Sequence, residues 1–340
     1  MKSGIRNLAH PELRAWLKDQ GRPQYRADQI SDWLYRRLAV DFGEMSNLPQ
    51  PLRQALDRQF LALSVTCADR QEDAEGTAKY LLQLADGNHI ESVLIRSGTR
   101  ATVCVSTQVG CPVRCTLCAS GRHGLVRDLD TAEIVDQVIF ACRQLGRTVS
   151  NIVVMGMGEP LLNLRNTVKA LDNLCAPEGL RLGARRITIS TSGIPDGIKA
   201  LADLGRQWHL ALSLHAVSDE KRARLIPSGY RCALAEILAA CALYKQRTGR
   251  IVTLEYALIH EFNDRPDDIQ GLAAIARRLQ AKVNLIPCND AGTAYRPPSP
   301  PEVSAFAQGL RQRGIPVTVR RGKGARIQAA CGQLRQKHAS

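Results

Sequence analysis

Three cysteines fall close together in Gly110-Cys111-Pro112-Val113-Arg114-Cys115-Thr116-Leu117-Cys118, a C-x3-C-x2-C arrangement. Thiolates at this spacing can wrap one small inorganic core. A cubane of four irons needs four ligands; this loop supplies three and leaves the last iron open to a small molecule. Structural zinc prefers four closed ligands, usually two paired C-x2-C units, and no second such pair occurs in the chain. Three buried thiols with only a packing role are the remaining alternative.

Other residues able to do chemistry are spread along the chain. Glu91 is an acid inside the mostly apolar run Ile90-Glu91-Ser92-Val93-Leu94-Ile95. On a strand it shares a face with Val93 and Ile95, where burial would raise its pKa and suit a general base. An edge-strand acid facing water fits the same residues equally well. Gly158 and Glu159, Ser190, the Ser213-Leu214-His215 stretch and Asn289 each stand at or just after the end of a strand-like run. Cys104 and Cys331 are further thiols; inert core packing is the plain reading of both.

Those positions gain meaning from the elements that hold them. From about residue 100 onward, strand and helix patterns alternate. Strands are predicted at 102–106, 152–155, 186–190, 210–213, 251–258 and 283–286, with a last one at 316–320. Helices are predicted around Ile134, Val138, Cys142 and Leu145, over 233–245, over 268–279 and near 303–310. Six βα units predict a parallel sheet with right-handed crossovers, closing into an open or incomplete barrel. In such folds the working residues collect where strands end. The cysteine triad, Gly158, Glu159, Ser190, Ser213, His215 and Asn289 all fall there.

The chain ahead of these units reads differently. Residues 1–62 show helical spacing: Leu13, Trp16 and Leu17 after Pro11, then Ile30, Trp33 and Leu34 over 27–37, then Leu52, Leu56 and Phe60. Residues 63–97 predict a hairpin, 79–84 and 90–95, turning at Asp86-Gly87-Asn88. The expected fold class is therefore α/β: a partial barrel of six βα units over 98–340, a small N-terminal helical domain (1–62) and a short β-rich linker (63–97).

Charge narrows the partners. The 340 residues carry a net charge of +14 with a pI of about 9.5, a surface that attracts polyanions. Arg311, Arg313, Arg320, Arg321, Lys323, Arg326, Arg335 and Lys337 crowd the region around Cys331, suiting phosphate contacts or a solvated basic face. Aromatic residues make up 4% of the chain, which limits stacking on exposed rings. No apolar run is long enough to span a membrane and Met1 to His10 lacks a secretory signal, so a reducing cytoplasm is expected. There, the 11 cysteines read as thiols, metal ligands or catalytic groups rather than as staples.

The C-x3-C-x2-C loop after a first barrel strand resembles the radical S-adenosylmethionine (SAM) superfamily, although that superfamily often has an aromatic residue where Leu117 stands. A closer resemblance covers most of the chain, from about residue 25 to about residue 335. Cys104-Val105-Ser106-Thr107-Gln108-Val109-Gly110, Met155-Gly156-Met157-Gly158-Glu159-Pro160, Ser213-Leu214-His215 and Ala329-Ala330-Cys331-Gly332-Gln333-Leu334 resemble the RlmN/Cfr family of rRNA adenine methyltransferases. The resemblance implies that Cys111, Cys115 and Cys118 hold a [4Fe–4S] cluster. It implies that Gly158, Glu159, Ser190, Ser213, Leu214, His215 and Asn289 line S-adenosylmethionine, with Glu159 opposite the methionine ammonium. Cys331 corresponds to the cysteine that is S-methylated, Cys104 to the one that resolves the protein–RNA adduct through a disulfide, and Glu91 to the proton acceptor.

The implied activity is methylation of C2 of an adenine in 23S rRNA, with tRNA as a second substrate. Each turnover uses two molecules of S-adenosylmethionine, because C2 of adenine has no lone pair with which to attack a sulfonium directly. Methylation at C8, or another RNA target, is the alternative. The acidic residues usual before the Ala-Ala-Cys motif are replaced by Ala325-Arg326-Ile327-Gln328, which bears on the target RNA more than on the chemistry. An electron donor such as flavodoxin or ferredoxin and a monomeric state complete the expectations.

Overall fold

The computed structural model describes residues 2–227, 229–288, 295–320 and 327. Asn289 and Cys331 lie outside the described residues, as do Arg321, Lys323, Arg326, Arg335 and Lys337.

Ten strands form one sheet: β1 (Val65–Glu72), β2 (Ala78–Leu84), β3 (His89–Ser97), β4 (Arg100–Cys104), β5 (Asn151–Val154), β6 (Ile187–Thr191), β7 (His209–Ser213), β8 (Thr253–Leu258), β9 (Lys282–Pro287) and β10 (Val317–Val319). Their order across the sheet follows the chain from β1 to β10. Strands β4 to β10 are all parallel to one another. Between β4 and β10 run the helices α4 (Thr131–Leu145), α5 (Leu164–Cys175), α6 (Pro195–Asp203), α7 (Asp219–Leu225), α8 (Leu234–Thr248), α9 (Pro266–Leu279) and α10 (Pro300–Gln312). With the strands in sequential order, right-handed crossovers put these helices on one face of the sheet, the outside of a barrel, and the other face turns inward. In β7, Leu210, Ala211 and Leu212 are all buried, the continuous apolar run expected of a parallel strand. The architecture is the expected partial α/β barrel, with β10 added at its edge.

Local signals fix the element ends. Before α4, the Asp130 side chain accepts from the Glu133 N–H at 2.8 Å while a Glu133 oxygen accepts from the Asp130 N–H at 2.9 Å. This capping box starts the helix, and Gly146 ends it at φ 69°, a left-handed conformation that glycine adopts without penalty.

The N-terminal part departs from expectation in three places. The second helix is shorter than its apolar spacing suggests: α2 (Arg26–Ser31) gives way to a π-turn over Asp32–Arg36, closed by the Arg37 N–H donating to the Asp32 carbonyl. Phe60 does not extend α3 (Gln50–Gln59) but pairs, with Leu61, against Ser3–Gly4. Strand β1 was not expected at all. It lies at the sheet edge with only Val65 buried, so it lacks the apolar alternation that marks a strand. The hairpin β2–β3 turns where predicted, with Gly87 at φ 84°. It continues directly into the barrel sheet, Val93 pairing with Cys104.

The N-terminal helices, including α1 (His10–Asp19), dock on α4 through a buried ion pair. Arg6 Nη1 lies 2.7 Å from Asp136 Oδ1, with both side chains almost wholly excluded from water. The other Asp136 oxygen accepts from the Ser64 N–H and hydroxyl. Arg6 also donates to the carbonyls of Leu34, Ala39 and Ala62.

Candidate active site

The C-terminal ends of the parallel strands surround one cavity with about 1030 Å³ of empty space, its open mouth included. Cys111, Cys115, Cys118, Gly158, Glu159, Ser190, Ser213 and His215 all line it. Residues up to about a hundred positions apart are brought together because each ends or follows a neighbouring strand. Leu214 is the exception: its side chain is fully buried in the core.

The cysteine loop is pinned at several points. The Cys111 N–H donates to the Gly124 carbonyl, the Cys118 N–H to the Cys115 carbonyl and the Thr116 N–H to the Leu225 carbonyl, at 2.9, 3.0 and 2.9 Å. Burial pushes the Cys111 thiol up to about 12, and the neighbouring negative groups Cys118 and Glu159 add to the rise. Burial likewise holds Cys115 well above its ordinary value, reinforced by Cys118 and Cys111. Thiolates in this place therefore need a bound cation to offset them. Cys111, Cys115 and Cys118 line the cavity from one loop; three thiols are one short of a closed zinc site and leave one iron of a cubane without a protein ligand.

The segment after β5 forms the next wall. Gly158 has φ +103°, and a Cβ there would come within 2.6 Å of the Gln108 side chain; only glycine fits. Glu159 is buried, and burial raises its pKa against the opposing hydrogen bonds from the Ser192 region. Its Oε2 accepts from the Ser192 N–H at 2.7 Å and its Oε1 from the Leu161 N–H at 3.2 Å. A carboxylate has lone pairs beyond these two bonds. Gln108 supports the segment from below, accepting from the Glu159 N–H and donating to Asp128.

Ser190 and Ser213 close the adjacent wall, their hydroxyls 3.4 Å apart. His215 follows with φ 55°, a left-handed backbone uncommon outside glycine, held by Asn263 Nδ2 donating to its carbonyl at 2.7 Å. Burial, and then the nearby Arg222 charge, depress its pKa to about 3, so the ring is neutral. Its Nδ1 accepts from the Ala257 N–H at 3.0 Å. The ring proton consequently sits on Nε2, leaving a single fixed donor.

Glu91 is buried in β3, not facing water. One of its carboxylate oxygens lies 3.1 Å from Lys79 Nζ. Its backbone is tied to the segment after β5, without lining the cavity itself: the Ser106 hydroxyl donates to the Glu91 carbonyl at 2.7 Å and accepts from the Met157 N–H at 2.8 Å. Cys104 is buried at the end of β4, in register with Val93 two residues on from Glu91. No disulfide joins two of the described cysteines, and the expected partner of Cys104, Cys331, is outside the described residues along with Asn289.

Several supporting residues carried no signal of their own in the sequence. Gln108, Ser106 and Lys79 hold other groups by hydrogen bond or ion pair, and Cys288, which also lines the cavity, stands apart from the triad along the chain. Gln108 and Ser106 do sit inside the Cys104–Gly110 motif, where a search for positioning residues could have started.

Residues 105–273 match the radical SAM superfamily, and residues 4–61 match the ribosomal RNA large subunit methyltransferase N-terminal domain. A protein of Symbiobacterium thermophilum named "Probable dual-specificity RNA methyltransferase RlmN" is 46% identical over 96% of this chain and 89% of its own length. One of the same name from Thermotoga maritima is 44% identical over 97% of each chain. The crystal structure of a radical SAM methyltransferase from Sphaerobacter thermophilus superposes with a TM-score of 0.95, at 44% identity, covering 98% of this chain and 100% of that one.

Proposed function

Because the chain belongs to the RlmN family of radical SAM RNA methyltransferases, we propose that it methylates C2 of an adenine in 23S rRNA, and an adenine of tRNA as a second substrate. The observation that carries this reading is the cavity in which the cysteine triad faces Gly158, Glu159, Ser190, Ser213 and His215. The "dual-specificity" in the relatives' name supports the second RNA.

A [4Fe–4S] cluster on Cys111, Cys115 and Cys118, with S-adenosylmethionine bound, supplies a carbon-centred radical through one-electron cleavage of the sulfonium. The chain's own groups do the rest. Glu159, Ser190 and Ser213 orient the methionine part, and Asn289 joins them. His215 offers its Nε2 proton as a hydrogen-bond donor. The Cys331 sulfur carries the methyl group to the base, having taken it from a first S-adenosylmethionine; a second is used for the radical. Glu91 accepts the proton that leaves C2. The radical takes a hydrogen atom from the S-methyl group on Cys331, the resulting methylene carbon bonds to C2, and the adduct gives up one electron, which would return to the cluster. The Cys104 thiolate then attacks the Cys331 sulfur and breaks its bond to that carbon, which takes up a proton to become the methyl group as the Cys104–Cys331 disulfide forms. A small acidic carrier of the flavodoxin or ferredoxin class supplies the electron, and the monomer acts in the cytoplasm. Among the described residues no helix is long and apolar enough to cross a membrane.

The test is anaerobic reaction of the iron-loaded protein with 23S rRNA and S-adenosylmethionine, followed by mass spectrometry of the nucleosides. 2-Methyladenosine together with 5′-deoxyadenosine is expected. 8-Methyladenosine instead would move the reaction to C8, and neither product would overturn the proposal.

A further inference from the structure

Arg222 is a buried cation that none of the roles above uses. It sits on α7, is 1% exposed, and its hydrogen bonds go to carbonyl oxygens instead of a carboxylate. Nη1 donates to the carbonyls of Ser213 and Leu214 at 3.2 and 3.0 Å, and Nη2 donates to that of Ser192. Ser192 and Ser213 both line the cavity, from the ends of two different strands. The helix bearing Arg222 is also fastened to the cysteine loop. The Thr116 N–H donates to the Leu225 carbonyl at 2.9 Å, and the Thr116 hydroxyl to that of Arg224 at 3.2 Å. One seven-residue helix therefore touches the residue after Cys115 on one side and grips the cavity walls on the other.

Burying a guanidinium away from water is unfavourable unless negative charge answers it. Carbonyl dipoles answer it in part, and its Nε has no partner. Burial lowers the Arg222 pKa, and the negative groups nearest it are Cys115, when ionised on a bound cluster, and then the Asp219 carboxylate. A cluster held by three thiolates is negative, and becomes more so by one charge on reduction. A fixed positive charge in a low-dielectric surrounding stabilises the more negative state more.

Resting on the reading that the triad holds a [4Fe–4S] cluster, we propose that Arg222 is a positioning residue with an electrostatic role. It ties together the two strand-end loops that wall the cavity, and its charge behind the cysteine loop favours transfer of one electron from an external low-potential donor onto the cluster. The donor is oxidised by that electron and the cluster reduced.

The experiment is a redox titration of the cluster-loaded protein, without RNA or S-adenosylmethionine, in the wild type, Arg222→Gln and Arg222→Lys. Electron paramagnetic resonance of the reduced cluster reports the fraction reduced. Arg222→Gln keeps a donor for the carbonyls but removes the charge. At a fixed applied potential its ratio of reduced to oxidised cluster should fall about tenfold, equal to about 59 mV for a one-electron couple. Arg222→Lys, which retains the charge, should stay within about twofold of the wild type. A Gln variant that titrates with the wild type overturns the proposal. If Arg222→Gln takes up no iron, Arg222→Lys decides alone: a wild-type ratio supports the role of charge and a tenfold loss overturns it. A wild type that binds no iron overturns the cluster reading itself, and with it this proposal; that result is distinct because no variant then gives a signal.

Discussion

Lys79 Nζ and a carboxylate oxygen of Glu91 meet 3.1 Å apart inside the sheet, with the two side chains only 7% and 2% exposed. They stand on adjacent antiparallel strands, β2 and β3, offset diagonally: Lys79 is in register with Val93 and Leu81 with Glu91. Removing one partner of such a pair takes away the opposite charge that the other was buried with, a loss of about 3–5 kcal/mol. Lys79→Met should therefore lower the unfolding free energy by about that amount in urea denaturation. Lys79→Met combined with Glu91→Leu should recover most of it, since two apolar groups of similar volume replace the pair. Equal losses in the single and the double variant would show that the two residues are not coupled.

Cys104 and Cys331 have separable effects if the two-thiol mechanism operates. Cys104→Ala leaves no group to release the base, so a covalent RNA–protein adduct should accumulate. Cys331→Ala has no sulfur to carry the methyl group and should give no adduct. Gel shift under denaturing conditions, before and after nuclease treatment, reads both. Normal methylation by either variant would eliminate the mechanism.

The triad's metal is directly measurable. Anaerobic reconstitution should load about four irons per chain, as a single cubane requires, with broad visible absorption. Each of Cys111→Ala, Cys115→Ala and Cys118→Ala should abolish that absorption. Tightly bound zinc without it would refute the iron–sulfur reading.

Much of this site could be read from residue order because the fold converts order into place. In a parallel sheet with right-handed crossovers, whatever follows a strand arrives at the same end; the triad, Glu159, Ser190, Ser213 and His215 were legible for that reason. Leu214 was carried with its polar neighbours, but its apolar side chain turns into the core. Strand β1 was illegible because an edge strand with one buried residue need not alternate. Glu91 remained undecided between core and water because its ion-pair partner is on another strand, and pairing of this kind leaves no local pattern. Arg222 escaped notice for a similar reason: an arginine in Asp219–Leu225 looks like one more surface charge until three carbonyls are found around it.

His215 should give the protein an acid-side instability. Its folded pKa, about 3, lies below its ordinary value of 6.5. Above 6.5 the ring is neutral in both states and the stability is fully present. As pH falls below 6.5, the unfolded chain binds a proton that the folded chain refuses, and stability falls by about 1.4 kcal/mol per unit until pH approaches 3. His215→Gln removes this titration. In urea melts of the two proteins between pH 7.5 and about 5, the difference in unfolding free energy should shift toward the variant as pH drops. Parallel pH profiles would show that His215 is protonated in the folded state.

The N-terminal helices should loosen selectively when the Arg6–Asp136 pair is broken. Arg6 Nη1 and Asp136 Oδ1 lie 2.7 Å apart, and Arg6 also donates to the carbonyls of Leu34, Ala39 and Ala62. Asp136 is held in turn by Ser64, whose N–H and hydroxyl donate at 2.7 and 2.6 Å. One guanidinium thus ties two stretches of the N-terminal segment to α4 of the barrel. Arg6→Met removes those hydrogen bonds together and strands a buried carboxylate, a loss of about 3–5 kcal/mol. Because the bonds converge on the junction, local opening should precede global unfolding. Hydrogen exchange should then speed up in α1 to α3 while β5 to β9 stay protected, and limited proteolysis should cut between α3 and β1. Uniformly faster exchange throughout the chain would show instead that the pair stabilises the molecule as a whole and does not act as the clasp of its N-terminal part.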